Sequence, residues 1–225
     1  MIYSLDKIKG GIIVSCQLTP GVPLHSTEGI VELAQIAQDN GAVGVRIDGP
    51  GAVRAVRRAI EIPIIGCYKE ELPGKIAYIT PTLYHVEKLI EAGADMVAVQ
   101  YTFERDMFPV TKYPIPLIAD ISSGTEAALA SLRGFDAVAT TMVGHTPTSS
   151  HVREFDYSLL SHLLLNLDIP ILAEGMIRTP QEARKTLEYG AWAMVIGAAV
   201  NNVGALVRWF VEEKDGIRYY AGRKE

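Results

Sequence analysis

Eight short apolar segments rich in valine and isoleucine recur along the 225-residue chain at fairly even spacing. Polar residues do not alternate within them, which is typical of strands buried on both faces of a parallel sheet. Between these segments, apolar residues recur at the spacing i, i+3, i+4 and i+7, which predicts helices with one apolar stripe. The predicted strands are 11–17, 42–48, 62–69, 95–100, 115–122, 135–142, 169–175 and 193–199.

Residues that begin and end helices support this alternation. Gly41, Gly93 and Gly190 each stand where a helix should end ahead of a strand. Glycine adopts the left-handed conformation of that position at little cost. The pairs Thr80-Pro81 and Thr179-Pro180 predict helix starts, because a threonine hydroxyl caps the first turn and proline is tolerated there.

Eight strands that alternate with helices predict a closed (β/α)8 barrel, formed as a single domain by residues 1–225. An open, doubly wound sheet is the alternative arrangement. With 48% hydrophobic residues, the chain can bury one large core. The charged tail, 212–225, predicts a terminal helix with a loose end.

Composition and charge narrow the class of protein. The 26 acidic and 21 basic residues give a net charge of −5 without a block of like charge, which argues against a nucleic-acid or membrane surface. Cys16 and Cys67 both lie in predicted strands, so we expect neither a disulfide framework nor a cysteine-rich metal site. The first nine residues do not resemble a signal peptide, and no apolar run is long enough to span a bilayer. We therefore expect a cytoplasmic protein with no nucleic-acid or membrane partner.

Polar residues end most of the predicted strands. In a (β/α)8 barrel the active site lies at the C-terminal ends of the strands, where the loops converge. A charge at the end of a buried strand costs desolvation free energy unless it is paired or binds a ligand. Salt bridges that close the barrel are the alternative, but a purely structural ring would more naturally be apolar. We interpret the ring as an enzyme active site. Its members are Gln17, Arg46, Lys69, Gln100, Asp120, Thr140, Thr141 and Glu174.

Lys69 and Glu174 stand out within this ring. They follow the third and seventh predicted strands, which lie across the barrel from each other, so both side chains can approach a central ligand. A lysine in such a site acts either as a base or as a Schiff-base nucleophile. An acid and a base on the two faces of one carbon are what inversion by proton transfer requires.

Small residues follow the last two predicted strands. Backbone amides near Gly175, Gly197 and Ala198 can face an anion, and barrels often bind phosphate there, although small residues after a strand are common. No glycine-rich nucleotide loop follows the first strand, so we expect no nucleotide cofactor. We also expect no metal, because Asp120 and Glu174 lack a clear third ligand. We assign surface or helix-packing roles to the histidines, which are His25, His85, His145, His151 and His162.

Seven segments at the predicted strand ends carry a family resemblance: 14–17, 44–49, 64–69, 79–82, 119–122, 140–144 and 173–175. Together they resemble the N-acetylmannosamine-6-phosphate 2-epimerases of bacterial sialic acid breakdown. The resemblance extends from about Gly11 to Phe210. A lone Ala-Glu-Gly or Ala-Asp-Ile-Ser is unremarkable, but seven segments in order are specific.

The resemblance implies a cofactor-independent TIM barrel of the ribulose-phosphate-binding type. Such an enzyme interconverts N-acetylmannosamine 6-phosphate and N-acetylglucosamine 6-phosphate by proton transfer at C2. The family's proton-transfer pair falls on Lys69 and Glu174, and Arg46 with the lysine ammonium would stabilise the negative charge that develops. Its partner would be a phosphorylated amino sugar, and we expect a homodimer. The predicted substrate-binding residues are Gln17, Arg46, Asp120, Thr141, Gly175, Arg178, Gly197 and Ala198.

Three positions depart from the family's pattern. Gln100 replaces an aspartate, and Met176 and Asn202 replace basic residues near the predicted phosphate loops. Either backbone amides and Arg178 bind the phosphate, or the preferred substrate differs. Two alternative functions remain at this point: a Schiff-base lyase that uses Lys69, and a non-catalytic sugar-phosphate-binding barrel.

Overall fold

The structure, a computed structural model, describes residues 3–17, 26–71, 78–102, 110 and 113–216. Within these residues, parallel strands close into a barrel in the order β1 to β8, which confirms the predicted fold and excludes the open sheet. The strands are β1 Ile12–Ser15, β2 Gly44–Asp48, β3 Ile64–Cys67, β4 Met96–Gln100, β5 Leu117–Asp120, β6 Ala137–Ala139, β7 Ile171–Glu174 and β8 Ala193–Ile196. The helices are α1 Tyr3–Lys7, α2 Thr27–Asp39, α3 Pro50–Arg57, α4 Leu83–Ala92, α5 Gly124–Arg133, α6 Tyr157–Asn166, α7 Pro180–Glu188, α8 Ala198–Asn201 and α9 Val203–Gly216.

Several strands are shorter than predicted because their polar ends leave the ladder. The sixth predicted strand ends at Ala139 and continues as a 3-10 helix, Thr140–Met142. The eighth ends at Ile196, and α8 begins immediately after Gly197. The residues that follow the strands are therefore held in short helices and loops at the barrel mouth.

Apolar side chains form two layers, one on each face of the closed sheet. Val45 and Ile47 belong to the layer between the strands and the helices. Ile65, Ile118 and Leu172 belong to the layer that fills the barrel interior. Because side chains alternate along a strand, the layer to which a residue belongs fixes the direction of its neighbours.

Helix α1 closes the N-terminal end of the barrel, where the sequence analysis assigned no element. Leu5 and Ile8 are buried and pack against the interior layer. The Trp192 indole Nε1 donates a hydrogen bond to the Leu5 carbonyl at 2.8 Å, and Lys9 Nζ lies 4.2 Å from the centre of its ring. The N-terminal end of the barrel is therefore covered, and the open end is formed by the C-terminal ends of the strands.

One of the two predicted helix starts is confirmed. The Thr179 hydroxyl accepts a hydrogen bond from the Glu182 amide and caps α7. The prediction at Thr80-Pro81 is wrong, because α4 is capped at Thr82 and begins two residues later than expected. Thr80 instead adopts a left-handed conformation, with φ of 49°, and its hydroxyl donates to the Ala98 carbonyl at 2.6 Å.

Helix α9 begins well before the predicted terminal helix and includes its first residues, while 217–225 lie outside the described residues. Among the helices in the described ranges, none is both long enough and apolar enough to cross a bilayer.

Candidate active site

The C-terminal ends of the strands surround a cavity of about 260 Å³, called here the central cavity. Arg46 faces it from the barrel interior because its neighbours Val45 and Ile47 face the helices. The same alternation turns Glu174 inward next to Ala173. The described lining includes Ser15, Gln17, Arg46, Lys69, Tyr78, Thr141, His145, Glu174, Gly197, Ala198, Asn201 and Asn202.

Arg46 forms the centre of a buried hydrogen-bond network. Its guanidinium donates two hydrogen bonds to the Asp120 carboxylate, at 2.6 and 3.1 Å, and one to Glu174 Oε2 at 2.5 Å. The Thr141 hydroxyl donates to Asp120 Oδ1 at 2.6 Å and lies 3.1 Å from Glu174 Oε2. Arg46 and Asp120 are 2% and 0% exposed and Glu174 is 12% exposed, so the network is largely shielded from water.

This burial shifts the ionisation of the network. Burial alone would lower the pKa of Arg46, but the Asp120 and Glu174 carboxylates raise it well above its ordinary value, so the guanidinium stays charged. Burial raises the pKa of Glu174, the nearby Asp120 carboxylate raises it further, and Arg46 opposes both. The neutral form of Glu174 is thus favoured relative to a carboxyl in water. Arg46 also lies between the two carboxylates that the sequence suggested as a partial metal site.

Lys69 lies two residues beyond the end of β3. Its backbone forms an isolated antiparallel bridge with Ile79, and its amide donates to Asp48 Oδ1 at 2.9 Å. The ammonium group donates to Gln17 Oε1 at 2.5 Å and lies 4.0 Å from Asp48 Oδ2. The Lys69 side chain is 39% exposed, so water reaches it. Lys69 and Glu174 therefore line the same cavity in contrasting surroundings.

Gln100 holds the segment that pairs with Lys69. Its Oε1 accepts hydrogen bonds from the Tyr78 amide at 3.0 Å and the Ile79 amide at 3.4 Å, and its Nε2 donates to the Thr102 hydroxyl at 3.2 Å. Gln100 is 1% exposed and is absent from the described lining of the central cavity. Gln100 therefore fixes the segment that pairs with the Lys69 backbone.

A second cavity of about 300 Å³, called here the outer cavity, adjoins the central one. Gly175 and Arg178 line it after β7, and Gly197 and Ala198 line it after β8. The Arg178 guanidinium lies 5.2 Å from the centre of the Trp209 ring, in a cation–π contact. Both cavities are lined by Ser15, Thr141, His145, Glu174, Gly197 and Ala198.

The two departures near the phosphate loops have local roles. Met176 adopts a left-handed backbone conformation with φ of 57°, and its side chain packs against Gly144. A left-handed conformation is strained for a residue other than glycine and is often found at functional sites. Asn202 Oδ1 accepts a hydrogen bond from the Ala205 amide at 2.8 Å, at the start of α9. Among the described residues that line the outer cavity, Arg178 is the one that carries a guanidinium group.

The predicted site residues are largely brought together. Seven of the ten line the central cavity, and Gly175 and Arg178 line the outer one. Asp120 appears in neither described lining, and it reaches the site through its bonds to Arg46. The seven that line the central cavity are Gln17, Arg46, Lys69, Thr141, Glu174, Gly197 and Ala198.

Sequence reasoning missed His145. Its side chain is exposed, in agreement with the expected surface role, and it also lines both cavities. His145 follows the segment 140–144 after the sixth strand, so the strand-end argument would have found it if extended by one residue. By contrast, His85 is buried in α4, between the Glu70 carboxylate and the Thr82 hydroxyl. His25 lies outside the described residues.

The two cysteines are buried free thiols. Burial raises the pKa of Cys16 and that of Cys67 to about 12. Both therefore remain protonated near neutral pH, and neither provides a reactive thiolate.

Comparison with known proteins points to one family. The family model described as putative N-acetylmannosamine-6-phosphate epimerase matches residues 30–215. A putative N-acetylmannosamine-6-phosphate 2-epimerase of Caldanaerobacter subterraneus is 40% identical over 218 residues, which are 92% of each chain. A protein of the same name from Thermosynechococcus vestitus is 39% identical over 213 residues, which are 91% of this chain and 93% of the relative.

Solved structures agree with this similarity. The N-acetylmannosamine-6-phosphate 2-epimerase of Clostridium perfringens has a TM-score of 0.87 and 32% sequence identity, and the match covers 93% of this chain and 95% of that one. Thiamine phosphate pyrophosphorylase of Pyrococcus furiosus has a TM-score of 0.60 and 20% identity, over 93% of this chain and 98% of that one. The second likeness concerns the barrel fold alone.

Proposed function

Because the chain belongs to the N-acetylmannosamine-6-phosphate 2-epimerase family, we propose that it interconverts N-acetylmannosamine 6-phosphate and N-acetylglucosamine 6-phosphate. The reaction inverts C2 by proton transfer. The observation that carries the proposal is that Lys69 and Glu174 line one cavity, from strands four positions apart in an eight-stranded barrel. Family membership favours this isomerase over a lyase or a binding protein.

Lys69 and Glu174 form the proton-transfer pair. Inversion requires one group to remove the C2 proton on one face of the sugar while another delivers a proton on the opposite face. The raised pKa of Glu174 suits a carboxyl that must hold a proton and also release it. The bond from Lys69 Nζ to Gln17 Oε1 places the ammonium at the cavity wall. In the reverse direction the two groups exchange roles.

Arg46 stabilises the negative charge that develops when the C2 proton leaves. Its guanidinium lines the central cavity and is fixed by Asp120 and Glu174, so it need not reorganise during the reaction. In the described part of the chain, the buried Arg46 Nε has no hydrogen-bond partner. Buried donors without a partner are rare in native proteins and often occur at catalytic sites or beside bound water. Asp120 and Thr141 act by holding this cation and Glu174 in position.

The outer cavity takes the phosphate. Arg178 supplies a cation, and the backbone near Gly175, Gly197 and Ala198 supplies amide donors. The Trp209 ring stabilises the Arg178 guanidinium by a cation–π contact. This division puts the reacting carbon in the central cavity and the phosphate beside it.

Proton exchange at C2 tests the proposal. In deuterated water, NMR should detect deuterium at C2 of N-acetylmannosamine 6-phosphate and formation of the C2 epimer. Lys69→Ala and Glu174→Gln should each lower turnover by about 100-fold or more, because general acid–base groups contribute at least that much. Lys88→Ala, which removes an exposed lysine on α4, serves as the matched control.

Two results would contradict the proposal. One is turnover that leaves no label at C2. The other is a borohydride-trapped adduct between substrate and Lys69, since a Schiff base belongs to lyase chemistry and not to direct proton transfer.

The proposed enzyme is a cytoplasmic homodimer. An exposed apolar face on α9 supports dimerisation, since Phe210 is 79% exposed and Val203 and Val207 are more than half exposed. Trp192 and Trp209 both have intramolecular partners. Light scattering of the purified chain measures the oligomeric state, and a monomer would contradict this part of the proposal.

A further inference from the structure

His145 lies where the central and outer cavities meet. It follows the 3-10 helix after β6, and the described linings of both cavities include it. A ligand that extends from one cavity into the other must pass this side chain. A phosphorylated sugar has that length, with the reacting carbon at one end and the phosphate at the other.

The backbone around His145 is held firmly while its ring remains available. The His145 amide donates to the Met142 carbonyl at 3.0 Å, and the Gly144 amide donates to the Ser149 hydroxyl at 3.0 Å. Gly144 has φ of 83°, a left-handed conformation that suits glycine. The His145 side chain is exposed, and its ring has no hydrogen-bond partner among the residues the structure describes.

Charge in the outer cavity is sparse for a phosphate site. Among its described lining residues, Arg178 is a permanent cation, whereas Glu174 carries a carboxylate. The Met176 side chain carries no donor, and Asn202 lines the central cavity but is absent from the described lining of the outer one. Phosphate monoesters carry close to two negative charges at neutral pH and accept several hydrogen bonds. The imidazole of His145 is a donor on the β6 side of this cavity, while Arg178 follows β7.

We propose that His145 is a specificity-determining residue that donates a hydrogen bond to the phosphate of the substrate, which Arg178 also binds. This inference rests on the proposed function. It assigns recognition of the phosphate to one imidazole and one guanidinium, both of which line the outer cavity. His145 does not take part in proton transfer at C2.

Kinetics with two substrates test the assignment. His145→Ala should raise KM for N-acetylmannosamine 6-phosphate by about tenfold, the loss expected for one hydrogen bond to a charged group. It should change kcat by less than about twofold, because the lost contact is not specific to the transition state. The kcat/KM for unphosphorylated N-acetylmannosamine should not change. His145→Gln retains an amide donor and should recover part of the affinity.

His151→Ala is the matched control, because His151 is an exposed histidine of the same loop and is absent from the described linings. The proposal is overturned if His145→Ala leaves KM for the phosphorylated sugar unchanged. It is equally overturned if both substrates lose kcat/KM to the same degree, which would indicate a structural role. Circular dichroism establishes that each variant is folded.

Calorimetric titration with inorganic phosphate separates this inference from the proposed function. The wild-type protein should bind phosphate more tightly than His145→Ala, and this result does not depend on turnover. If the wild-type protein does not epimerise the sugar, the proposed function fails while the titration still reports on His145. Equal phosphate affinity in the two proteins would overturn the inference even if the enzyme is active.

Discussion

The two sides of the central cavity are held by different kinds of interaction. On the β7 side, Glu174 joins Arg46 and Thr141 in a network of charge-assisted hydrogen bonds inside the barrel. On the β3 side, Lys69 lies in a loop, is 39% exposed, and has its ammonium bonded to the neutral amide of Gln17. One candidate proton carrier is thus fixed by buried charges and the other by backbone pairing.

The difference shows what each arrangement can control. Buried charges act strongly on one another, so the network sets both the position and the protonation of Glu174. The loop determines where the Lys69 backbone lies but leaves its long side chain in contact with water. The β7 side therefore tunes the ionisation of a fixed group, and the β3 side presents a group that can move toward a substrate.

Arg46→Met should disturb the β7 side most. It leaves the Asp120 and Glu174 carboxylates buried without their shared cation. Removing one partner of a buried pair costs about 3–5 kcal/mol of the free energy of unfolding. Urea unfolding at pH 7 measures this loss. Part of the stability should return at acidic pH, because protonation of Glu174, whose pKa is raised by burial, removes one of the uncompensated charges.

Arg184→Met is the matched control for this variant. The pair of Arg184 with Glu188 is exposed, with 3.8 Å between Nε and Oε1, and its loss should cost less than about 1 kcal/mol. If Arg46→Met were as stable as Arg184→Met, the network would not be what holds the β7 side together.

The barrel itself could be predicted from the sequence because its signals are local. Unbroken apolar segments mark strands that are buried on both faces, and Thr179 shows how a hydroxyl before proline marks a helix start. The same local signal failed at Thr80, where the hydroxyl bonds to the Ala98 carbonyl of a neighbouring strand. Helix α1 was not predicted because its apolar residues are buried only when the barrel has closed and α1 packs against its N-terminal end.

The sequence predicted which residues lie near the barrel mouth, but it did not predict which of them form hydrogen bonds with each other. The strand ends predicted that Arg46 belongs to the site, but its bonds to Asp120 and Glu174 join residues 74 and 128 positions apart. Such pairings follow from the closed sheet and from side-chain geometry, which a single sequence does not show. Gln100 likewise accepts hydrogen bonds from the Tyr78 and Ile79 amides, in the segment that pairs with Lys69. No pattern in the chain indicates which backbone amides will donate to a given side chain.

Gln100→Met should disturb the β3 side by a smaller amount. It leaves the Tyr78 and Ile79 amides without the acceptor that Gln100 provides, and a buried donor left unpaired costs about 1–3 kcal/mol. The segment at Tyr78 and Ile79, which pairs with Lys69, should then become more mobile, so kcat should fall. The hydrogen bonds of Glu174 should not change. Urea unfolding and turnover of the phosphorylated sugar measure the two effects.

Gln100→Asn retains an uncharged amide oxygen that can accept a hydrogen bond and is the control, so it should lose less activity than Gln100→Met. Equal kcat in Gln100→Met and the wild-type protein would contradict the view that this side chain positions Lys69.

The smallest expected effect concerns the pH dependence of stability on the β7 side. Burial raises the pKa of Glu174 above its ordinary value of 4.5, so the folded protein holds this proton more tightly than the unfolded chain. Ionisation therefore weakens the folded state as pH rises from about 4.5 through the raised value. Glu174→Gln cannot ionise, so its Tm relative to wild type should increase over that range, by a few degrees, and then level off. Calorimetry between pH 4 and pH 8 measures the difference, and Glu188→Gln on the exposed face of α7 reports the effect of removing a surface carboxylate. A relative Tm that falls with rising pH would mean that Arg46 outweighs burial, and that Glu174 is held as a carboxylate and not as a proton donor.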